Sequence, residues 1–173
     1  FFLAGTADEL AVDGVWLWLK VTGRAGKARV DRRAAGRRPL RGKVGVLIPA
    51  WHEAEIIGTT IAHALAAWRQ TELRLFVGCY RNDSATVAAV AAAAGGDPRL
   101  RIVILGHDGP TTKADCLNRL YRAVCAEEER NGEQFRMVLL HDAEDMVDPA
   151  GLAVLDDALD HSEFVQLPVR PDR

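Results

Sequence analysis

The 173-residue sequence is poor in the features that staple a protein or thread it through a membrane. Its three cysteines, Cys79, Cys116 and Cys125, are odd in number and lack CxxC spacing. They support neither a disulfide framework nor a structural zinc site, and imply a reducing, cytosolic environment. His52, His63, His107 and His141 show no HExxH or HxxxH spacing, so a histidine-built metal centre is not expected and packed or surface histidine is the default. The P-loop pattern GxxxxGK[ST] is missing too: Gly106 to Lys113 does not fit it, and Ala114 stands where the hydroxyl should be. No internal repeat is visible. The opening residues, Phe1-Phe2-Leu3-Ala4, carry neither an initiating Met nor the basic n-region of a signal peptide, and read as cut from something longer.

What is present is an ordinary globular composition, 49% hydrophobic and 27% charged, at a length that fits one domain with a small appendage. The net charge of −2 hides an asymmetry: Phe1 to Lys43 has ten Lys/Arg against four Asp/Glu, and the remainder has twelve against twenty. Two segments with different partners are implied. Residues 1–21 are rich in Phe, Leu, Val and Trp, but Asp8, Glu9 and Asp13 interrupt them, so they make no uninterrupted span of about twenty apolar residues. Trp16 and Trp18 followed by Lys20 have the form of an interfacial aromatic anchor. Residues 22–43 read as an irregular, basic, solvated linker, which beside such an anchor would lie on the cytoplasmic face of a membrane. The alternative is a basic linker beside a tryptophan-bearing surface helix, with no lipid involved.

From Val44 the texture becomes a regular alternation. Val44 to Ile48, Leu73 to Cys79, Arg101 to Leu105 and Arg136 to Leu140 are short apolar runs that predict buried strands, the first ended by Pro49. Between them, stripes at helical spacing (Ile57, Ile61, Ala64, Leu65, Trp68; the alanine-rich Thr86 to Ala94; Leu117, Leu120, Tyr121, Val124) predict helices. Pro149 to Asp160 predicts a final helix with Pro149 in its first turn, and Glu163 to Leu167 a possible fifth strand. The pattern implies an α/β fold with a mainly parallel sheet flanked by helices, residues 44–173 forming its ligand-binding part.

In such a sheet ligands bind outside the carboxyl ends of the strands, and polar residues of this sequence gather there. Pro49 to Glu53 follow the first strand, Tyr80 to Ser84 the second, Gly106 to Lys113 the third and His141 to Asp145 the fourth. Asp142 and Glu144, one residue apart at the end of an apolar strand, suit a hard divalent cation such as Mg²⁺ or Mn²⁺ that shares substrate phosphates. The competing reading is plain helix capping, preferred for Asp148. Lys113, after a Gly/Pro/Thr loop and at a helix start, can attract a phosphate, while Thr111 or Thr112 serves equally as an N-cap with Asp115 in the first turn. Glu53 and Glu55 can be first-turn acids, Asp83 with Ser84 a turn and N-cap, and Arg81 near Asp83 a surface pair.

These residues resemble a known family. Val46-Leu47-Ile48-Pro49-Ala50-Trp51-His52-Glu53 resembles the "hhIPAYNE" opening of family 2 glycosyltransferases with the GT-A fold, Thr112 to Asn118 their "GKAxALN" segment, and Leu139 to Asp145 their "hhDADD" segment, the DxD motif. The three occur in that family's order and spacing and cover roughly Val44 to Val169. The segments "YRNDSAT", "GPTTKADCLN" and "HDAEDMVDP" are more similar still to its membrane-bound bacteriophage adsorption protein B-like branch. The resemblance implies a Rossmann-like GT-A sheet and metal-dependent, inverting transfer of a sugar from a nucleoside-diphosphate donor, UDP-linked, to an envelope polysaccharide or glycoconjugate.

Carried over, Pro49, Glu53, Asn82, Asp83 and Lys113 would line the nucleotide pocket, and Asp142 and Glu144 would hold Mg²⁺ or Mn²⁺ and the diphosphate. Two departures stand out: the family's "DDGS" loop reads Arg81-Asn82-Asp83-Ser84, and Glu144 replaces the second Asp. The family's acceptor-side acid, the expected catalytic base, and its QxxRW segment do not occur before Arg173, so the sequence reads as the donor-binding half of such a domain. The expected setting is the cytoplasmic side of a bacterial inner membrane, reached through residues 1–21, with no nucleic-acid partner. A non-catalytic membrane component acting as phage receptor, assembly partner or nucleotide sensor is the rival. A nucleotidyltransferase is disfavoured, because no basic glycine-rich loop follows the first strand.

Overall fold

The structure, a computed structural model, describes residues 13–23 and 30–167. The chain divides into two compact units, Phe1–Val30 and Asp31–Arg173. In the first, residues 13–21 are helical, and Val15, Trp16, Leu17, Trp18 and Val21 are all more than half exposed. The Lys20 ammonium lies 4.5 Å from the centre of the Trp16 ring, and the Thr22 hydroxyl donates to the Trp18 carbonyl at 2.7 Å. Residues 1–12 and 24–29, which carry the rest of the expected anchor and part of the basic linker, lie outside the described residues. Among the described residues no helix is long and apolar enough to cross a membrane.

The second unit begins with a one-turn helix α1 (Arg32–Ala35), followed by β1 (Lys43–Ala50), α2 (Ile57–Ala67), β2 (Leu73–Tyr80), α3 (Ser84–Ala94), β3 (Leu100–Leu105), α4 (Lys113–Asn131), β4 (Phe135–Leu140) and α5 (Gly151–Ala158). All strand pairings are parallel, in the order β3-β2-β1-β4. The expected mainly parallel α/β sheet is therefore present. In β1, Val44, Val46, Ile48 and Ala50 enter one core with α2, Val90 of α3, and Leu152 and Leu155 of α5. Leu47 faces the opposite core, where Phe76, Tyr80 and Leu105 meet Cys116, Leu120 and Val124 of α4. Burial on both faces explains why the strands are continuous apolar runs rather than alternating ones.

Several boundaries differ from the sequence expectation. β1 continues through Pro49, which lies opposite Gly78, and does not stop at it. α5 starts at Gly151, because Asp148 accepts the Ala150 amide at 2.8 Å and turns the chain there, leaving Pro149 outside the helix. The possible strand Glu163 to Leu167 does not form: residues 164–167 are irregular and Phe164 is 81% exposed. Val165 packs on the first core, and Leu167 lies 3.8 Å from where a Gly151 Cβ would stand, so the apolar residues are used without a ladder.

Residues 31–42 fold with the second unit. Arg38 donates to the Ala153 carbonyl at 2.9 Å, and Arg41 to Asp157 at 2.7 Å and to Asp160. Asp156, fully buried, accepts from the Arg41 amide at 3.2 Å and the Arg136 guanidinium at 2.7 Å. Basic side chains at this amino-terminal edge of the sheet are thus spent on α5.

Candidate functional site

β1 is the strand at which the order reverses, since chain continuity leads outward to β2 and β3 while β4 lies on its other side. Crevices in parallel sheets open at such a switch point, outside the carboxyl ends. The loops after β1 and β4 flank it, and the Leu47 carbonyl extends the β1 ladder by accepting the His141 amide at 3.0 Å.

The loop after β1 is held from the side by the loop after β2. Asp83 is buried, and its two oxygens accept the His52 amide at 2.7 Å and the Thr86 amide at 3.3 Å. It is the N-cap of α3, as the capping reading expects. Burial works to raise its pKa, but the bonds from Thr86 and His52 prevail and hold it below the usual carboxylate value. The Glu53 amide donates to the Thr86 hydroxyl at 3.1 Å. This pinning accompanies a positive φ of 58° at His52, whose ring stacks on Trp51 with centroids 4.1 Å apart. Such a φ is rare outside glycine and marks a loop over-determined by its neighbours.

The loop after β3 closes on the same group. Asn82 and Gly109 exchange two hydrogen bonds, 3.0 and 2.9 Å, and Arg81 pairs with Asp108 at 2.6 Å rather than with Asp83. Gly109 sits against Trp51 and Tyr80: a Cβ there would be 2.6 Å from the Trp51 ring, so only glycine permits the approach. Tyr80 and Thr111 share a hydrogen bond of 2.6 Å between hydroxyls. Thr112 caps α4 by accepting the Asp115 amide at 3.2 Å, which sets Lys113 at the first position of the helix.

Lys113 forms an ion pair with Asp142, both side chains about half exposed. The expected phosphate-binding lysine and metal-binding acid are thereby brought together, one from the head of α4 and the other from the end of β4. Glu144 is exposed, and no hydrogen bond or ion pair involves its carboxylate among the described residues. Asp145 is half-buried, and its carbonyl is hydrogen-bonded to the ring of His141 at 3.0 Å. Burial pushes the His141 ring below its ordinary pKa, against the pull of Asp145 and Asp142.

Among the described residues no group of three or more His, Cys, Asp or Glu is placed to hold a metal ion. Two carboxylates with open positions for water and phosphate oxygens suit Mg²⁺ or Mn²⁺, which are bound in that way beside phosphorylated substrates. The thiols take no part: burial raises Cys79 to about 12 and Cys116 to about 11, so both stay protonated and unreactive.

Sequence reasoning missed the support beneath the acidic loop. The Thr60 hydroxyl donates to the Ala143 carbonyl at 2.6 Å, the His63 ring is hydrogen-bonded to the Val147 carbonyl at 2.9 Å, and the Trp68 indole donates to the Asp148 carbonyl at 2.9 Å. Thr60 and His63 lie on the side of α2 that also carries the core residues Ile57 and Ala64, and Trp68 is its C-cap; polar atoms on such a buried stripe were the available signal.

Comparison with known proteins agrees with this architecture. Over 173 residues the chain is 29% identical to bacteriophage adsorption protein B of Escherichia coli (strain K12) and to bacteriophage N4 adsorption protein B of Escherichia coli O157:H7, with 98% of the chain aligned. It spans about a quarter, 23%, of the length of these relatives. Among solved structures, the mannosyltransferase PcManGT from Pyrobaculum calidifontis, in complex with GDP-Man and Mn²⁺, matches with a TM-score of 0.54 at 17% identity, over 92% of this chain and 43% of that one. That likeness establishes the GT-A fold. The profile of the glycosyltransferase-like family 2 matches residues 41–172, three quarters of the chain, and the chain belongs to that family.

Proposed function

We propose that this chain is the donor-binding part of a metal-dependent, inverting glycosyltransferase that uses a nucleoside-diphosphate sugar. The observation that carries the reading is the meeting of Lys113, at the head of α4, with Asp142, just after β4, at the carboxyl edge of a sheet whose order reverses at β1. In this reading the nucleoside lies against Pro49, Glu53 and Asn82. Asp83 acts on the same pocket by holding the His52 and Glu53 backbone in place. Lys113 turns from Asp142 to the diphosphate, where an ammonium and the first amides of α4 attract anionic oxygens.

Asp142 and Glu144 would hold Mg²⁺ or Mn²⁺, which when bound neutralises charge on the departing diphosphate. An acceptor hydroxyl, deprotonated by a carboxylate, attacks the anomeric carbon; the new glycosidic bond forms as the bond to the diphosphate breaks. No residue of this chain is assigned as that carboxylate. The nucleobase of the donor is expected to be uracil, although the matched mannosyltransferase is in complex with GDP-Man. The exposed apolar residues of the helical run 13–21 would rest at a membrane interface, with the catalytic face in the bacterial cytoplasm.

Isothermal calorimetry with UDP, GDP and CDP, with and without Mn²⁺, tests the proposal. Binding of one diphosphate that requires Mn²⁺ is expected, and Asp142→Ala should abolish that metal-dependent binding. Absence of binding by the wild-type chain in every condition would overturn it. The similarity to two bacteriophage adsorption proteins favours a second reading, a non-catalytic glycosyltransferase-like component acting in phage adsorption. That reading expects no nucleotide binding at all.

A further inference from the structure

The acidic loop between β4 and α5 has no regular structure over residues 141–150, yet its backbone is tied down at closely spaced carbonyls. Three of the ties come from α2 and the residue that caps it. Thr60 holds Ala143, His63 holds Val147 and Trp68 holds Asp148, at 2.6, 2.9 and 2.9 Å. The side chains of Ala143 and Val147 are buried in the core beneath, which leaves Asp142 and Glu144 on the open side. Thr60 and Trp68 are themselves 3% exposed, so water does not compete for these bonds.

We propose that Thr60, together with His63 and Trp68, is a positioning residue for the cation-binding carboxylates of the donor site. The inference rests on the reading of Asp142 and Glu144 given above and adds to it a mechanical base in α2. Thr60 is the central element, because its bond reaches the carbonyl of the residue between the two acids. Fixing Ala143 fixes the directions in which the neighbouring side chains leave the backbone. Hydrogen-bonding groups behind metal ligands commonly control affinity without touching the ion, and their loss costs roughly 10- to 100-fold. None of the three residues reaches a substrate in this arrangement; they act through the loop.

The test compares Thr60→Val, which keeps shape and removes the donor, with Thr60→Ser, which keeps the donor. Mn²⁺ binding in the presence of nucleoside diphosphate is read from the electron paramagnetic resonance signal of free Mn²⁺. Deuterium exchange of the amides from Asp142 to Asp148 is measured in parallel. Thr60→Val should bind Mn²⁺ roughly tenfold or more weakly and lose protection in the loop while α4 and the strands keep theirs; Thr60→Ser should stay within about twofold of wild type.

Unchanged Mn²⁺ affinity and unchanged loop exchange in folded Thr60→Val would overturn the proposal. Equal losses in Thr60→Val and Thr60→Ser would also overturn it, because the serine keeps the donor and a loss there cannot come from the missing hydrogen bond. If Thr60→Val does not fold, His63→Leu against His63→Gln, at a half-exposed position, carries the same comparison. If the wild-type chain binds neither Mn²⁺ nor nucleotide, the donor-site reading fails by itself, and loop exchange alone decides whether the clamp exists.

Discussion

Lys113 and Asp142 are 29 residues apart in the chain and meet only because α4 begins, and β4 ends, at the same edge of the sheet. Their pairing gives the lysine two possible duties, neutralising Asp142 or holding a phosphate, and these predict different outcomes for Lys113→Met. If the phosphate is its partner, nucleoside diphosphate affinity in Mn²⁺ should fall about tenfold, the scale of one charge-assisted hydrogen bond, with Mn²⁺ alone bound no more weakly. Calorimetry of the two ligands separately makes the distinction.

Asp97 predicts a pH dependence at a site of purely structural use. Its two oxygens take the Arg99 guanidinium, which also donates to the Leu65 carbonyl at 2.9 Å and to that of Trp68, tying the start of β3 to the end of α2. Those bonds hold the Asp97 carboxyl below its ordinary value. A carboxylate with a depressed folded-state pKa contributes stability that is complete above the unfolded value of about 3.9 and is lost as pH falls through the folded value. Asp97→Asn should therefore cost about 1–3 kcal/mol near neutral pH, and the gap to wild type should close in acid. Urea denaturation at about pH 7 and about pH 3 measures both.

Among the elements, α4 is packed most closely on the sheet at Gly78 of β2. A Cβ there would lie 2.7 Å from the Cys116 sulfur and 3.2 Å from Leu120. Gly78→Ala should push α4 outward and lower stability by about 1–3 kcal/mol, read as a lowered denaturation midpoint. Lys113 sits at the head of that helix, so the same substitution should also weaken diphosphate binding. The strands and helices of this layer were legible from apolar runs and helical stripes, because each lies against a core that leaves its signature in the sequence. The expected fifth strand, Glu163 to Leu167, has the apolar content of a short strand but, among the described residues, no ladder to join, and composition alone does not supply a neighbour.

For the second compact unit as a whole, the buried carboxylate of Asp156 joins both ends of the described fold. It takes the amide of Arg41, ahead of β1, and the guanidinium of Arg136, on β4. Asp156→Ala leaves these donors without their shared acceptor and should cost about 3 kcal/mol, measured by chemical denaturation, with no direct effect at the opposite, ligand-binding edge. The location of this network explains why the run of basic residues did not reveal its use. Arg38 and Arg41 look like part of one solvated linker in the sequence, and only their contacts with α5 show that they belong to the second unit.

The sequence by itself determined the α/β class, the order of strands and helices, the family motifs, and the gathering of polar residues at strand ends. All of these are local patterns or depend on the fixed rule that parallel strands present their carboxyl ends to one side. The tertiary structure decided which of those residues face one another. It turned Asp83 into a buried cap whose oxygens hold the His52 and Thr86 amides, paired Arg81 with Asp108, and set Lys113 against Asp142. It also placed Thr60, His63 and Trp68 beneath the acidic loop. Hydrogen bonds across separations of about eighty residues have no periodicity to betray them, and they exist only once α2 and the β4–α5 loop share a core.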